Sequence, residues 1–138
     1  MDKLVLAQKL ESLRRCLQRI EQKRPATSSA LVNDADLQDV IVLNLTRAVQ
    51  LSVDIASHII SQSNEPSPST MGEAFLVLER LGVVNAATSE NLRKAVGFRN
   101  IAVHNYEAIN WEIVFHICEN KLKDFEQLAR AVVKYAGL

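Results

Sequence analysis

Apolar residues recur through most of the chain at alternating spacings of three and four, the period of a helix that packs one face on a core. In residues 2–23 this repeat comprises Leu6, Leu10, Leu13, Leu17 and Ile20. Pro25 then ends the pattern, because proline lacks the backbone donor that a continuing helix needs. We therefore predict a first helix over residues 2–23 and a short loop over residues 26–32.

A second, longer helix is predicted over residues 34–62. Its apolar side comprises Val40, Ile41, Ala48, Ile55, Ala56, Ile59 and Ile60. Asn33 is expected to cap its first turn, where Asp34 and Asp36 favour the positive end of the helix dipole. Two prolines within residues 63–69 indicate a loop after this helix.

Capping signals place the remaining helices. Thr70 and Glu73 fit a capping box at the start of a short helix, and Gly82 is expected to end it. Thr88 or Ser89 is expected to begin a fourth helix, which extends through residue 104.

The last helix is predicted between an N-cap at Asn110 and a terminating Gly137. No segment alternates apolar and polar residues at period two between turns, so no sheet is expected. The sequence thus predicts a single all-α domain over residues 1–138, built as an up-and-down bundle of four main helices and one short helix.

Composition favours a soluble, intracellular protein. Hydrophobic residues make up 48% of the 138 residues, yet charged residues interrupt each apolar run, so neither a membrane span nor a signal peptide is expected. Lys plus Arg equals Asp plus Glu, at 16 each, which argues against strong non-specific nucleic-acid binding but allows a local basic patch. Cys16 and Cys118 lack metal-ligand spacing and are expected to be buried free thiols of a cytoplasmic protein.

Two polar faces of the predicted helices have alternative interpretations. The first helix has a cationic face that is either solvated or a phosphate-contacting rim, and it comprises Lys9, Arg14, Arg15, Arg19, Lys23 and Arg24. On the second helix, Asp54 and His58 lie one turn apart and can form a hydrogen bond. This is either a structural pair or a pair of supporting groups that line a site made with another helix.

The residues most useful for chemistry gather between positions 99 and 106, where the sequence is Arg-Asn-Ile-Ala-Val-His-Asn-Tyr. Asn100 and His104 share a helix face, whereas Arg99 and His104 are about 140° apart around an ideal helix. A site that uses both therefore needs a distorted helix end or two chains that meet. We expect a two-fold dimer that brings both copies into one cleft.

Such a set suits RNA, which carries its own nucleophile in the 2′-hydroxyl group. The imidazole of His104 can move protons, and Arg99 offers a planar fork of donors to phosphate oxygens. Asn100 can orient His104 or a phosphate. No metal-binding cluster is evident in the sequence, so we expect metal-independent cleavage that leaves a 2′,3′-cyclic phosphate and a 5′-hydroxyl. Arg99 and His104 also have ordinary structural roles, as a salt-bridge partner and as a partner of the helix C-terminus.

This stretch resembles the Arg-x4-His-x-Tyr motif of HEPN-domain proteins, in particular the HepT toxins of type VII HEPN/MNT toxin–antitoxin modules. The length, the helical pattern and the motif position agree over essentially the whole chain. The resemblance implies a homodimeric HEPN bundle and a metal-independent endoribonuclease toxin without a cofactor. It implies that Arg99 and His104 are catalytic. The supporting residues would be Asn100, Asp54 and His58.

The resemblance also implies a partner, a minimal nucleotidyltransferase antitoxin that transfers AMP from ATP to the motif tyrosine, here Tyr106. Added AMP brings negative charge and bulk beside the positive site and blocks the RNA phosphate. Tyr106 also has a structural interpretation, as an aromatic residue that packs near Trp111. The alternative function is a non-catalytic helical subunit that binds nucleotide or docks a nucleotidyltransferase, and a third is a degenerate, inactive toxin.

Overall fold

The chain forms helices joined by short loops and turns over residues 2–138, the part that the computed structural model describes. Its elements in order are α1 (Lys3–Lys23), α2 (Ser28–Val32), α3 (Ala35–Ser61), α4 (Met71–Arg80), α5 (Ala86–His104), a 3-10 turn (Tyr106–Ala108), α6 (Trp111–Asn120) and α7 (Leu122–Ala136). No strand occurs among these residues. The predicted all-α class is confirmed.

Antiparallel packing of α1 on α3 forms one side of the bundle. The backbone N–H of Asp2 donates to Nε2 of His58 at 3.3 Å, and Nζ of Lys9 lies 3.8 Å from Oδ2 of Asp54. Residue numbers therefore rise along α1 as they fall along α3. The start of α1 meets the end of α3, as an up-and-down connection requires.

Packing of α5 on α7 is antiparallel as well. Oγ1 of Thr88 donates to Oε1 of Gln127 at 3.1 Å, and Nδ2 of Asn91 donates to Oδ1 of Asp124 at 3.2 Å. At the other end of α5, Tyr106 contacts Asp39 near the start of α3. Neighbouring long helices thus alternate in direction, and the predicted up-and-down arrangement is confirmed.

The central helix is α3, which contacts α1, α4 and α5. It is long and apolar enough to cross a membrane by composition alone, since one window of 18 residues has a mean hydropathy of 1.3. However, 56% of that window is buried inside the bundle. Its buried apolar side chains include Ile41, Leu45, Ala48, Ile55, Ala56, Ile59 and Ile60. This burial identifies α3 as the core helix of the bundle.

The predicted apolar face of α1 and the two predicted glycine terminators are confirmed. Leu6, Leu13 and Ile20 are fully buried. Gly82 follows α4 with φ +76°, and Gly137 caps α7 with φ +69°. Both glycines adopt the left-handed conformation that side-chain-bearing residues rarely take, which explains why the helices end there.

Residues 26–32, which we predicted to be a loop, contain the short helix α2. Oγ1 of Thr27 accepts a hydrogen bond from the N–H of Ala30 at 3.2 Å, so a residue that indicated a loop instead caps a helix. Leu31 is fully buried, and burial of a leucine contributes roughly 1.5–3 kcal/mol. The cap at Thr27 and the buried Leu31 thus stabilise α2, which is too short to show an apolar repeat in the sequence.

Two of the predicted N-caps are wrong. Asp34, not Asn33, caps α3, since its Oδ1 accepts from the N–H of Leu37 at 3.0 Å. Asn85 caps α5 by accepting from the N–H of Thr88 at 2.8 Å. Thr88 lies inside the first turn, where its hydroxyl is buried against α7 rather than used as a cap.

The last predicted helix is in fact two, because the chain bends at Lys121, which has φ −116° and ψ −5°. Nδ2 of Asn120 donates to Nδ1 and to the carbonyl of His116, so this side chain competes locally with the helical pattern. The bend lets α6 bury Val114 and Cys118 and lets α7 bury a separate set. That set is Leu122, Asp124, Phe125, Leu128, Val132 and Ala136. The predicted cap at Asn110 is confirmed at the start of α6.

Candidate active site

The end of α5 positions the motif. Asn105 leaves the helical conformation, with φ −151° and ψ 65°, and its N–H donates to the carbonyl of Ile101 at 2.8 Å. The 3-10 turn follows at once. Arg99 and His104 therefore lie on the last two turns of α5, whereas Tyr106 lies beyond its end. The phenol is thereby free to point away from the face that a continuing helix would have given it.

Arg99 and His104 do not share a face of one chain, as predicted. Helix α5 is unbroken between them, so they are separated by about 140° of rotation and roughly 7.5 Å of rise. His104 is exposed and Arg99 half-buried. Nη1 of Arg99 donates to Oδ1 of Asn100 at 3.3 Å, so Asn100 orients the guanidinium rather than His104.

Both groups keep donors available for a ligand. Within residues 2–138, Arg99 forms no salt bridge, and the His104 imidazole makes no hydrogen bond to protein. The structural role considered for Arg99, as a salt-bridge partner, is therefore not realised within these residues. His104 lies in the last turn of α5, the position that its structural role as a partner of the helix C-terminus requires. Arg99 can bind a phosphate oxygen and His104 can exchange a proton, each on its own side of α5.

Tyr106 is held by two contacts of different kinds. Its hydroxyl donates to Oδ1 of Asp39 at 2.6 Å, and its ring packs edge-on against Trp111 with centroids 5.8 Å apart. Partial burial raises the pKa of the phenol to about 12, and the hydrogen bond and the charges of Asp39 and Glu107 act in the same direction. The predicted packing near Trp111 is confirmed, and 37% of the side chain still remains exposed.

Asp39 is the residue that sequence reasoning missed. It lies on α3, 67 positions before Tyr106, and only the tertiary fold brings the two together. The helix-dipole interpretation from the sequence covers only Asp34 and Asp36 and assigns Asp39 no role. One local sign was available: Asp39 is followed by the apolar Val40 and Ile41 on the core side, so its own carboxylate faces outward.

The predicted pairing of Asp54 with His58 is wrong. Oδ1 of Asp54 accepts from Nε2 of Gln50 at 3.0 Å and its Oδ2 faces Lys9, while His58 accepts from the N–H of Asp2. His58 is also about 28 Å along α3 from Asp39, at ~1.5 Å per residue. Within one chain the pair therefore lies at the end of the bundle opposite Tyr106, where it ties α1 to α3.

Most of the cations on α1 form pairs with neighbouring acids, which favours the solvated face over a phosphate-contacting rim. Arg14 and Arg15 both contact Glu11, with the shortest distance 2.7 Å. Arg24 lies 3.5 Å from Glu21 and donates to the carbonyl of Cys118 at 3.1 Å. The guanidinium of Arg14 holds the pKa of Glu11 at about 2, well below its usual range.

An apolar surface adjoins the motif. Ile101, Val103 and Ile113 are about half exposed, at 46%, 52% and 54%. A cavity of about 470 Å³ opens between α3, α5, α6 and α7, and its lining is mainly apolar. Its walls include Leu45, Phe98, Ile101, Ile109, Ile113 and Phe125. Exposed apolar area of this kind is typical of a surface that another protein covers.

The two cysteines match their prediction as buried free thiols. Burial raises the pKa of Cys118 to about 12, so its thiol is unreactive near neutral pH. Among residues 2–138 there is no group of three or more His, Cys, Asp or Glu side chains arranged to hold a metal ion.

Comparison with known proteins identifies the family. A family model described as Ribonuclease HepT-like matches residues 13–132. The mRNA nuclease HepT of Shewanella oneidensis is 37% identical over 123 residues, which cover 89% of this chain and 92% of that protein. The tRNA nuclease HepT of Aphanizomenon flos-aquae is 22% identical over 135 residues, which cover 98% of this chain and 92% of that protein.

A solved structure gives the same result for the fold. It contains the tri-AMPylated HEPN toxin of Shewanella oneidensis in complex with the MNT antitoxin, and its toxin chain is 36% identical to this one. The TM-score is 0.88, with 98% of this chain and 99% of the other covered. The expected HEPN-like fold is thereby confirmed. On the family match, the identity and the shared fold together, the chain belongs to the HepT-like ribonuclease family.

Proposed function

We propose that the chain is the ribonuclease toxin of a type VII HEPN/MNT toxin–antitoxin module and that it cleaves RNA internally in the cytoplasm. The observation that carries the proposal is the pair of chemically available groups at the end of α5. Within residues 2–138, the side chains of Arg99 and His104 form no salt bridge and no hydrogen bond to another element of the fold. Their donors therefore remain available for a ligand. The identity to an mRNA nuclease and a tRNA nuclease supports RNA as the substrate.

Cleavage in this proposal uses the nucleophile that RNA carries. The 2′-oxygen attacks the adjacent phosphorus while His104 accepts the hydroxyl proton. Arg99 binds the non-bridging oxygens, where negative charge accumulates. The bond from phosphorus to the 5′-oxygen breaks, and that oxygen leaves as a hydroxyl after it takes up a proton. The products are a 2′,3′-cyclic phosphate and a 5′-hydroxyl, and no step needs a metal ion or a cofactor.

A homodimer is part of the same proposal. Arg99 and His104 of one chain diverge by about 140°, so one helix does not aim both at one phosphate. A two-fold axis beside the end of α5 would bring Arg99 of one chain towards His104 of the other. The half-exposed Ile101, Val103 and Ile113 beside the motif support such a contact.

Tyr106 would be the off-switch. A cognate nucleotidyltransferase antitoxin transfers AMP from ATP to the phenol oxygen, as the AMPylated state of the related toxin suggests. Each AMP adds a phosphate charge two residues from His104, where it competes with RNA phosphate for the cations of the site. Tyr106 is partly exposed, which supports access by such a donor without unfolding.

The cleavage proposal is tested with purified protein and RNA in the presence of EDTA. We expect the wild type to cut, and Arg99→Ala and His104→Ala each to lose activity by on the order of 100-fold or more. Arg130→Ala and His116→Ala are the matched controls, since both residues are exposed and lie on α7 and α6. Absence of cleavage by the wild type, or full activity in both motif variants, would contradict the proposal.

The switch is tested by mass spectrometry after co-expression with the proposed nucleotidyltransferase antitoxin. We expect one or more AMP units on the wild type and on Tyr135→Phe, and none on Tyr106→Phe. AMP retained by Tyr106→Phe would refute the assignment of the acceptor. A wild type that carries AMP but cuts no RNA when unmodified would favour the alternative, a non-catalytic subunit that docks a nucleotidyltransferase.

A further inference from the structure

The hydrogen bond between Tyr106 and Asp39 has the geometry of a proton transfer. The distance of 2.6 Å between the phenol oxygen and Oδ1 is in the short range typical of a hydroxyl that donates to a carboxylate. The bond joins the turn after α5 to α3, so the fold itself places the acceptor. Asp39 is exposed, which leaves its carboxylate in contact with solvent.

A tyrosine in this environment needs help to become a nucleophile. Partial burial and the neighbouring acids raise the pKa of Tyr106 to about 12, so the phenol is protonated at neutral pH. A protonated phenol is a poor nucleophile, and its proton must leave as a bond to phosphorus forms. Unless the partner supplies a base, a group on this chain must accept that proton.

We propose that Asp39 is the general base for transfer of AMP to Tyr106. The inference rests on the proposed function, in which Tyr106 is the acceptor. The phenol oxygen attacks the α-phosphorus of ATP as its proton passes to Oδ1 of Asp39. The new oxygen–phosphorus bond forms, the bond from the α-phosphorus to the bridging oxygen breaks, and pyrophosphate leaves. Asp39 then returns its proton to solvent.

The other groups around the phenol do not fit this role. Glu107 is adjacent in sequence and repels the phenolate charge, but it forms no hydrogen bond with the Tyr106 hydroxyl within residues 2–138. Trp111 contacts the ring and offers no acceptor. Asp39 is thus the carboxylate positioned to take the proton.

The test compares variants that separate basicity from position. In Asp39→Asn, the amide oxygen still accepts a hydrogen bond from the phenol but is a far weaker base. With ATP radiolabelled at the α-phosphate and the proposed nucleotidyltransferase antitoxin, we expect Asp39→Asn to slow the first transfer by on the order of 100-fold. Asp39→Glu should recover part of the rate. Asp36→Asn is the control and should stay within about twofold of the wild type, since Asp36 is exposed in the first turn of α3.

The pH profile distinguishes a base from a merely structural residue. Transfer in Asp39→Asn depends on the small fraction of phenolate, which grows about tenfold per pH unit below the phenol pKa. The ratio of wild-type to Asp39→Asn rates should therefore fall as pH rises, and the partner's own titration cancels from it. A ratio that stays constant with pH would assign Asp39 a structural role and overturn the inference.

The outcomes also separate this inference from the proposed function. If the wild type receives AMP on Tyr106 and Asp39→Asn receives it equally fast, only the role of Asp39 is wrong. If the wild type receives no AMP, the acceptor assignment and the role of Asp39 are both wrong. Co-purification of Asp39→Asn with the nucleotidyltransferase and an unchanged circular dichroism spectrum verify that the variant folds and docks.

Discussion

Tyr106 combines a fixed position with an exposed edge. Trp111 holds its ring and Asp39 holds its hydroxyl, so the side chain is restricted although it lies in a short turn. Arg99 and His104 are positioned differently, by the backbone of a regular helix. A proposed modification target on a turn and a proposed cleavage pair on a helix end can therefore lie within eight residues of sequence.

The ionisation of Tyr106 gives a prediction at the residue scale. With its pKa raised to about 12, roughly a tenth of Tyr106 should be ionised near pH 11, against about nine tenths for a phenol of ordinary pKa. The difference in ultraviolet phenolate absorbance between wild type and Tyr106→Phe isolates this group from Tyr135. Asp39→Asn should lower the midpoint, because the carboxylate charge that opposes the phenolate is removed.

The raised pKa of Tyr106 also makes the stability of the fold depend on pH. The pKa of Tyr106 is higher in the folded chain than the ordinary value of 10, so its contribution to folding is complete below about pH 10. It is lost as pH rises from about 10 to about 12.

In the absorbance titration, an ionisation midpoint of Tyr106 near pH 10 in the wild type, unchanged in Asp39→Asn, would show that the hydrogen bond between Tyr106 and Asp39 does not persist in solution.

At this scale the sequence predicted what is local and missed what is distant. Arg99, Asn100 and His104 lie within six consecutive residues, so their spacing alone specified their angles on a helix. Asp39 is 67 positions from Tyr106, and no periodicity links them. The incorrect pairing of Asp54 with His58 has the related cause that i, i+4 neighbours also compete with partners on other helices, here Lys9 and the Asp2 backbone.

At the scale of elements, the chain changes direction after α4 at a glycine, which can adopt the left-handed backbone conformation that other residues rarely take. Gly82 follows α4 with φ +76°, and the N–H of Val83 bonds back to the carbonyl of Leu78 at 2.9 Å. This closes the helix end and directs the chain into α5. The start of α5, and through it the position of the motif, depends on that turn.

The two glycines Gly82 and Gly97 should respond to alanine in opposite ways. No atom lies within 4 Å of a Cβ added at either position. Gly82→Ala should destabilise the fold by about 1 kcal/mol, because alanine is strained at a positive φ. Gly97 is inside α5, so Gly97→Ala should stabilise it by about 0.5–1 kcal/mol.

Urea unfolding of both variants and the wild type, followed by circular dichroism, checks this prediction. If both substitutions shift the midpoint in the same direction, backbone conformation does not control these sites. The comparison is well matched because the added group is the same methyl and both sites have open space around it.

The lengths of the long helices were predictable, whereas their interruptions were not. The apolar repeat of α1 and α3 extends over many turns, so a single irregular position does not change the predicted length of either helix. The five residues of α2 are too few for a period, and the bend at Lys121 leaves the apolar pattern of the last segment intact. The N-cap predictions failed for a similar reason, since Asn33 and Asp34, or Asn85 and Ser89, are equally good caps in isolation.

At the scale of the whole molecule, the residues of the proposed site lie at one end of the bundle, and the contacts that tie α1 to α3 through Asp54 and His58 lie at the other. One end holds the start of α1 and the end of α3, tied together through His58 and Asp54. The opposite end holds the start of α3, the end of α5 and the turn with Tyr106. The alternating helix directions produce this separation, because they bring Asp39 and Tyr106 to one place from distant parts of the chain.

The proposed two-fold site predicts that two inactive variants recover activity when they are mixed. If Arg99 of one chain acts with His104 of the other, mixing Arg99→Ala with His104→Ala should restore cleavage. In a mixed dimer one site loses both residues, but the other site retains both. Half of the dimers in an equal mixture are mixed, and each has one intact site of two, so activity should reach about a quarter of the wild-type value.

The alternative geometry gives a different number. If each site uses Arg99 and His104 of the same chain, every site in a mixed dimer lacks one residue, and mixing restores nothing. The measurement is RNA cleavage by the two variants after they are co-expressed and purified through two different tags, so that only mixed dimers are assayed and about half of the wild-type activity is expected in that sample. Neither variant alone contains a complete pair of Arg99 and His104. Recovery of cleavage in that sample would therefore mean that each site combines Arg99 of one chain with His104 of the other.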